Sequence, residues 1–529
     1  MNKHLLIQID KNSWKLDINL PDRKIPRSFR LDRNGYICLG YFISWEEDLT
    51  DQQIFQYCKD RDFETLANLT ADFLIIFIDQ SNKKVTVLNS QTGTFPCYFA
   101  FIEDNLIIST SFYEIKKRLK YLTLNLNQAF DYFIFEFFNF PQDETILEEI
   151  NQVPPAALLE VKPTFEYRIS SLLKYREFYG EGVTPLESTE DFTNQVATLI
   201  EIITRERLTR LKQFSKAGEL SSGYDSGLVA SAIANIDPQS AQFYTWNSEL
   251  DQLDSDPAVV KKFALKHELK VNFWEKDAYF PFAAEEDLKL SEDNFYPATF
   301  AQNLILEFYK YLSAEDKEVV FNGTGGDEIY MVHEMDDLYP YFVHLDYFDT
   351  VRALDWDIDR ILTSKGIDIL MDRDRFSKRN LYPVILSTSS LEKNYFPIYW
   401  EYNLWPVSPL TDPRLIKLAR RMPKKDPEQL RKEHIWKHRT DIFLPEQLKP
   451  KHRFGTLNFV KQYVKKRKDF IIEVLRNSVL AKKGLIKADE IIKNLQEDKF
   501  DLYSDKNNLF FHNVIRLEYF IQKNLVKVL

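Results

Sequence analysis

Between residues 218 and 321 the chain alternates two hydrophobic periods, and that alternation constrains its fold more than any other feature. Residues 218–220, 242–246, 270–274 and 319–321 are short apolar runs of strand type. Between them, 225–236 carries Leu228, Ala232 and Ile236 on one helical face. The stretch 256–267 opens with Asp256 as a cap and Pro257 at the first helical position. Strands alternating with helices build a parallel sheet with helices on both faces, so the expected class is α/β. Ligands of such sheets bind beyond the carboxyl ends of the strands.

Glycine usage marks two places on that frame. The 529 residues include 14 glycines, roughly 2.6%, against the ~7% of an average protein. Six of them are Gly218, Gly223 and Gly227, then Gly323, Gly325 and Gly326. A chain this sparing of glycine places it where backbone must turn tightly or approach something closely.

The first segment, Leu220-Ser221-Ser222-Gly223-Tyr224-Asp225-Ser226-Gly227, runs from a strand end into a helix start. Free backbone N–H groups and the positive helix end make an anion site there, with phosphate as the usual guest. A Ser-rich helix cap is the plainer alternative. The Gly-Lys-Ser/Thr ending of a Walker A loop is missing. Asp225 would repel a bare phosphate and makes sense with Mg²⁺ between the two. The second segment, Asn322-Gly323-Thr324-Gly325-Gly326-Asp327-Glu328, is a loop after a strand. Alone it reads equally as a calcium-type turn or a plain loop. If the two strands are neighbours, Asp225 and Asp327 meet at one sheet edge, and the pair of segments points to a nucleotide site.

The first ~170 residues read as strands at 5–9, 72–79, 84–88, 96–102 and 105–109. Helices are expected at 51–69 and at 127–137, the latter capped by Asn127. Residues 174–188 read as a connection between domains. The helix after it is capped by Ser188 or Thr189 and carries Phe192, Val196, Leu199 and Ile203 at helical spacing. Beyond ~330 the chain reads mostly helical.

A chain this long exceeds one core, so two or three domains are expected. Charges of 69 Lys+Arg against 80 Asp+Glu give −11, which argues against a duplex nucleic-acid partner. Cys38, Cys58 and Cys97 are widely spaced, giving neither a disulfide framework nor a zinc motif. The longest apolar run, 73–78, is far too short for a membrane span. The first ten residues are too polar for a signal peptide, so a cytoplasmic location is expected.

Ser221-Ser222-Gly223-Tyr224-Asp225-Ser226 resembles the SGGxDS phosphate loop of the asparagine synthetase superfamily, and Gly323-Thr324-Gly325-Gly326-Asp327-Glu328 resembles its GxGxDE loop. Asp143-Glu144-Thr145 with Val153-Pro154-Pro155-Ala156 is similar to the stretch at its domain junction. Val407-Ser408-Pro409-Leu410-Thr411-Asp412 resembles its P-F-L-D segment, and Lys449-Pro450-Lys451 with Phe454-Gly455 its RPKxGF stretch. Asparagine synthetases, β-lactam synthetases and lasso-peptide cyclases belong to this superfamily. The resemblance implies an Ntn-hydrolase-like αββα sandwich over 1–173. A parallel-sheet PP-loop synthetase domain with a helical C-terminal region would span 186–529.

The sequence also departs from these relatives. Asn2 stands where asparagine synthetases carry their nucleophilic cysteine, and an amide cannot replace a thiolate. Ser90 stands where an aspartate is common in the rDxxGxxPLYY strand, Ser222 replaces a loop glycine, and Thr324 replaces the family's Glu or Tyr. Cys97 reads as a strand residue, not a substitute nucleophile.

The resemblance implies adenylation of a carboxylate by ATP, then attack by an amine. ATP would be held by Leu220, Ser221, Ser222, Gly223, Asp225, Ser226, Gly323, Gly325 and Gly326, Mg²⁺ by Asp225 and Asp327, and Lys451 would be catalytic. With no glutaminase nucleophile, ammonia must come from solution or the amine must belong to the substrate; the second is the favoured expectation, a lactam closure by a lasso-type cyclase on a small molecule or peptide, with a precursor-processing protein as partner. No nucleic-acid or membrane partner is expected. Use of free ammonia, β-lactam closure and a non-catalytic scaffold remain as alternatives. The basic stretch Lys461, Lys465, Lys466, Arg467 and Lys468 reads as a solvated helix face or a dock for an acidic peptide.

Overall fold

The computed structural model describes residues 3–46, 49–134, 143–172, 184–247, 257–275, 282, 288–289, 302–326, 329, 357–371, 393–419, 421–423, 463–504 and 508–529. Its N-terminal strands are β1 (Leu6–Asp10), β2 (Leu16–Asn19), β3 (Arg27–Arg33), β4 (Tyr36–Ser44), β5 (Ala71–Asp79), β6 (Lys84–Asn89), β7 (Tyr98–Ile102), β8 (Asn105–Ser109), β9 (Asn151–Gln152), β10 (Ala157–Val161) and β11 (Tyr167–Ser171). They form two sheets, ordered β2-β1-β8-β7-β9 and β11-β10-β6-β5-β4-β3. Neighbours in both are antiparallel.

Alternating side chains set the layers. Ile7 and Ile9 of β1 and Leu106 and Ile108 of β8 share one core with Leu39 and Tyr41 of β4 and Leu74, Ile76 and Ile78 of β5. On its other face the second sheet turns Phe42, Phe73, Ile75 and Phe77 against Ile54, Phe55 and Leu66 of two helices. All nine residues of β5 are buried, because both of its faces are covered. The outer face of the first sheet, including Ala100 and Ile107, packs with Phe112 and Ile115 and with Leu475, Phe511 and Ile515 from the end of the chain. The order is therefore helix, sheet, sheet, helix, and the C-terminal helices supply part of the last layer.

The second body is a parallel sheet of β12 (Lys216–Glu219), β13 (Gln242–Asn247), β14 (Val271–Glu275), β15 (Val319–Phe321) and β16 (Trp405–Val407), in the order β14-β13-β12-β15-β16. All its pairings are parallel. Phe243, Val319 and Phe321 share a core with the Thr189–Arg210 and Tyr224–Ile236 helices. Tyr244 and Val320, on the opposite face, pack with the Gln302–Ala314 and Lys393–Glu401 helices. The protein is thus mixed α/β, with antiparallel sheets and one parallel sheet. Trp400 joins the two bodies: its ring centroid lies 5.5 Å from Tyr41 and 6.2 Å from Phe95, and Arg23 stacks 3.4 Å from it. The Trp400 indole N–H donates to the Lys3 carbonyl.

Some local expectations change. The helix expected over 51–69 is two, Asp51–Asp60 and Phe63–Ala67, because Arg61 turns left-handed at φ 59° and Asp62 caps the next helix through Thr65 N. The Leu126–Ile134 helix is capped two residues earlier than expected: the Gln128 N–H donates to Asn125 Oδ1 at 3.2 Å, so Asn125 takes the role assigned to Asn127. Ser188, not Thr189, caps the 189–210 helix, accepting from Asp191 N at 3.2 Å. Among the described residues no helix is long and apolar enough to cross a membrane.

Candidate functional site

In the parallel sheet the chain leaves β12 for β13 on one side and for β15 on the other. The topological switch point therefore lies at the carboxyl ends of β12 and β15, where a doubly wound sheet holds its ligand. Both glycine-containing segments emerge there.

Leu220 stays in line with the sheet, its N–H donating to the Tyr244 carbonyl at 2.9 Å. The loop then closes on itself: Ser221 N donates to Ser226 Oγ at 3.1 Å, the two hydroxyls lie 2.9 Å apart, and Gly223 N donates to Ser221 Oγ at 3.0 Å. Gly223 caps the following helix, which receives no side-chain cap. The serines thus shape the loop instead of capping the helix. The helix opens just beyond the carboxyl end of β12, beside the switch point, where a helix N-terminus suits an anion.

The second loop starts at Asn322, whose N–H donates to the Val407 carbonyl at 3.0 Å. Asn322 Oδ1 accepts from Ser408 Oγ at 2.6 Å and from Thr324 N at 3.1 Å. Contact between the loops explains two glycines. A Cβ on Gly323 would lie 2.4 Å from Ser226 N, and one on Gly326 would lie 2.2 Å from Asp225 Oδ1. Gly325 packs against Leu410 and Thr411 instead. Leu220, Ser221, Ser222, Gly223, Asp225, Ser226, Gly323, Gly325 and Gly326 thus lie in two touching segments, with Asp225 and Ser226 on the first turn of the Tyr224–Ile236 helix. Asn2, Asp327, Lys451 and Lys461 lie outside the described residues.

Beneath the second loop, Asp412 is fully buried and meets Arg207 at 3.0 Å and Arg414 Nε at 2.9 Å. Burial by itself would raise this carboxyl, but Arg207 and Arg414 hold it below the usual carboxylate range. The pair ties the Pro409–Thr411 turn, against which Gly325 rests, to the Thr189–Arg210 helix.

Sequence reasoning missed a polar chain on the other face of the sheet. Glu219, the last residue of β12, accepts from Tyr309 OH at 2.8 Å. Tyr309 and Tyr399 share a phenol–phenol hydrogen bond, and Asn322 Nδ2 donates to Tyr399 OH at 3.4 Å. Burial pushes the Glu219 carboxyl up to about 7, against the pull of the bonds from Tyr309 and Tyr399. Burial, Glu219 and Tyr399 raise the Tyr309 phenol well above its ordinary range, so it stays a donor. The one signal in the sequence was a glutamate inside the otherwise uncharged run 217–224.

In the N-terminal body Cys97 is 1% exposed and burial pushes its thiol up, away from nucleophilic ionisation. Ser90 bonds to Thr92 at 3.1 Å, and Thr92 and Thr94 donate to the buried Asp72 at 2.7 and 3.2 Å. Of the basic stretch, Lys468 pairs with Asp498 at 2.8 Å and Arg467 donates to the Phe282 carbonyl. A cavity of about 580 Å³ lined by Trp14, Lys15, Arg30, Arg33 and Tyr36 contains none of the loop residues.

No family model matches the chain, and no curated protein matches it in sequence. Solved structures give remote likenesses. The allosteric regulatory enzyme of purine biosynthesis is similar at 7% identity and TM-score 0.21, over 53% of this chain and 75% of that one. The glutamine phosphoribosylpyrophosphate amidotransferase of B. subtilis, complexed with ADP and GMP, is similar at 9% and 0.21, over 63% and 72%. The U34-tRNA thiolase NcsA of Methanococcus maripaludis, with its 4Fe–4S cluster, is similar at 14% and 0.20, over 52% and 86%. Likeness at this level carries no weight for what the chain does, which rests on its own geometry.

Proposed function

We propose that this protein is an ATP-dependent, AMP-forming carbon–nitrogen ligase. It adenylates a substrate carboxylate and closes an intramolecular amide, as in the macrolactam of a lasso-type peptide. The observation that carries this reading is the contact of the two loops at the switch point, Gly323 on Ser226 and Gly326 on Asp225. A Ser-lined helix start and a second glycine loop at one sheet edge suit a triphosphate whose pyrophosphate leaves.

In this reading the N-terminal layers, over 1–173, are a degenerate Ntn-type glutaminase shell, and 186–529 is a PP-loop synthetase unit. The substrate carboxylate attacks the α-phosphate of ATP and pyrophosphate departs. The amine then attacks the acyl carbon and AMP departs. Ser221, Ser226 and the N–H groups after Gly223 would hold the pyrophosphate. Lys451 would place a cation near the adenylate. Asp225, closed over by Gly326, and Asp327, next in sequence, fit Mg²⁺, which takes one or two carboxylates and fills its shell with phosphate and water oxygens. The metal would neutralise charge on the leaving pyrophosphate. A cytoplasmic enzyme acting on a small molecule or peptide, with a peptide-processing partner and no nucleic-acid or membrane partner, follows from this reading.

The test is Mg²⁺-dependent exchange of pyrophosphate into ATP, screened over amino acids, β-amino acids and linear peptides. A supporting substrate should then lose one water by mass spectrometry without added ammonium. Asparagine made from aspartate and ammonium with comparable efficiency would defeat the cyclisation. Absence of exchange with every carboxylate would defeat the ligase.

A further inference from the structure

We propose that Glu219 accepts the proton released by the attacking amine as the amide forms; this rests on the ligase reading above. Glu219 ends the central strand, paired in register with Tyr244 of β13 and one residue beyond the Gly218–Phe321 pair of β15. It is therefore level with Asn322, where the second loop begins. Strand alternation turns its side chain to the face opposite Leu220, toward the Gln302–Ala314 and Lys393–Glu401 helices. The phosphate loop leads into a helix on the Leu220 face. A substrate lying over the carboxyl edge of β12 would thus have the nucleotide loop on one side and this carboxyl on the other.

The surroundings suit a proton acceptor. Tyr309 and Tyr399 face the carboxyl from two helices, Tyr244 lies beside it on β13, and Asn322 fixes Tyr399 from the loop. No charged group among the described residues contributes to its titration near 7, a value at which a base works best at neutral pH. Thr324 cannot act as the base, and Asp225 belongs to the proposed metal.

The step balances. The amine lone pair forms the C–N bond, the acyl carbon–oxygen bond to AMP breaks, and AMP leaves with that electron pair. The proton lost from nitrogen passes to a Glu219 oxygen, and Glu219 loses it again once the products have left.

Glu219→Gln keeps the acceptor for Tyr309 and removes the base. With the carboxylate that supports the strongest exchange, this variant should keep ATP–pyrophosphate exchange. It should also keep hydroxamate formation with hydroxylamine, whose weakly basic nitrogen loses its proton to water after attack without needing a carboxylate. Amide formation should fall by about 100-fold. The wild-type rate of amide formation should rise with pH through neutrality, a limb absent in Glu219→Gln and partly restored in Glu219→Asp. Infrared difference spectra of wild type against Glu219→Gln should show a carboxyl titrating near neutrality without any substrate. Unchanged amide formation in Glu219→Gln, loss of exchange together with amide formation, or a carboxyl already ionised well below neutrality would each overturn the assignment. Absence of exchange in the wild type defeats the ligase reading and this inference with it, whereas the other outcomes strike the inference alone.

Discussion

Gly326 sits on the carboxylate of Asp225 so closely that a Cβ at position 326 would lie 2.2 Å from Oδ1. One methyl group there must displace either the carboxyl or the loop. Gly326→Ala should therefore destabilise the protein by about 1–3 kcal/mol, the usual cost of forcing an extra methyl into packed structure. It should also abolish pyrophosphate exchange. Adding Asp225→Ala to it should recover stability in chemical denaturation but not exchange. A single Gly326→Ala variant with wild-type exchange and stability would remove the loop contact as the core of the site.

Asp225→Asn and Asp327→Asn should each stop adenylation while circular dichroism stays native. Each removes one negative charge from the proposed magnesium site, worth several kcal/mol in the transition state, so exchange should drop on the order of 1,000-fold or more. Near-normal turnover in either variant would reassign that aspartate to loop structure.

The buried Arg207–Asp412 pair gives a prediction about stability and pH. Arg207→Met should cost about 1.5–3 kcal/mol, because the fully buried Asp412 carboxylate loses one of its two guanidinium partners and keeps Arg414. The Asp412 carboxyl is held below its ordinary value in the fold. Its contribution is thus fully present above the unfolded-state value of about 3.9, and is lost as pH falls through the lower folded value. Asp412→Asn should flatten that acid limb in denaturant melts followed at stepped pH. An unchanged limb would mean that other carboxylates set it.

Glutamine should not be hydrolysed. All three cysteines are buried, the Cys97 thiol is pushed up by burial, and the hydroxyls of the Ser90–Thr94 loop are engaged with Asp72 and with each other. Glutamate released from glutamine by the purified protein, above a blank and blocked by a thiol reagent, would contradict this.

Local chemistry made part of this protein legible in its sequence. Strand β15 has the bounds expected from Val319-Val320-Phe321, because a short apolar run between a charged turn and a glycine loop has one way to be buried. Helix 189–210 likewise follows from apolar residues at helical spacing behind a serine cap. Glycine scarcity pointed to Gly323 and Gly326, since a missing Cβ records a close approach whatever the approaching group is. Periodicity, however, reports that a face is buried, not what buries it. So the sequence did not reveal that the C-terminal helices cover the outer face of the first antiparallel sheet, where Phe511 and Ile515 share a core with Ala100 and Ile107. Nor did it reveal the β3–β4 hairpin, whose alternating polar residues on β3 resemble a loop until β4 supplies the ladder partners. Glu219, Tyr309 and Tyr399 are spaced 90 residues apart, and in sequence each is an ordinary strand-end or helix residue. Only parallel pairing of β12 with β15, and the packing of two distant helices on one face, brings their polar atoms within hydrogen-bond range. Hydrogen bonds act over about 3 Å, so their partners are chosen by the folded path of the chain.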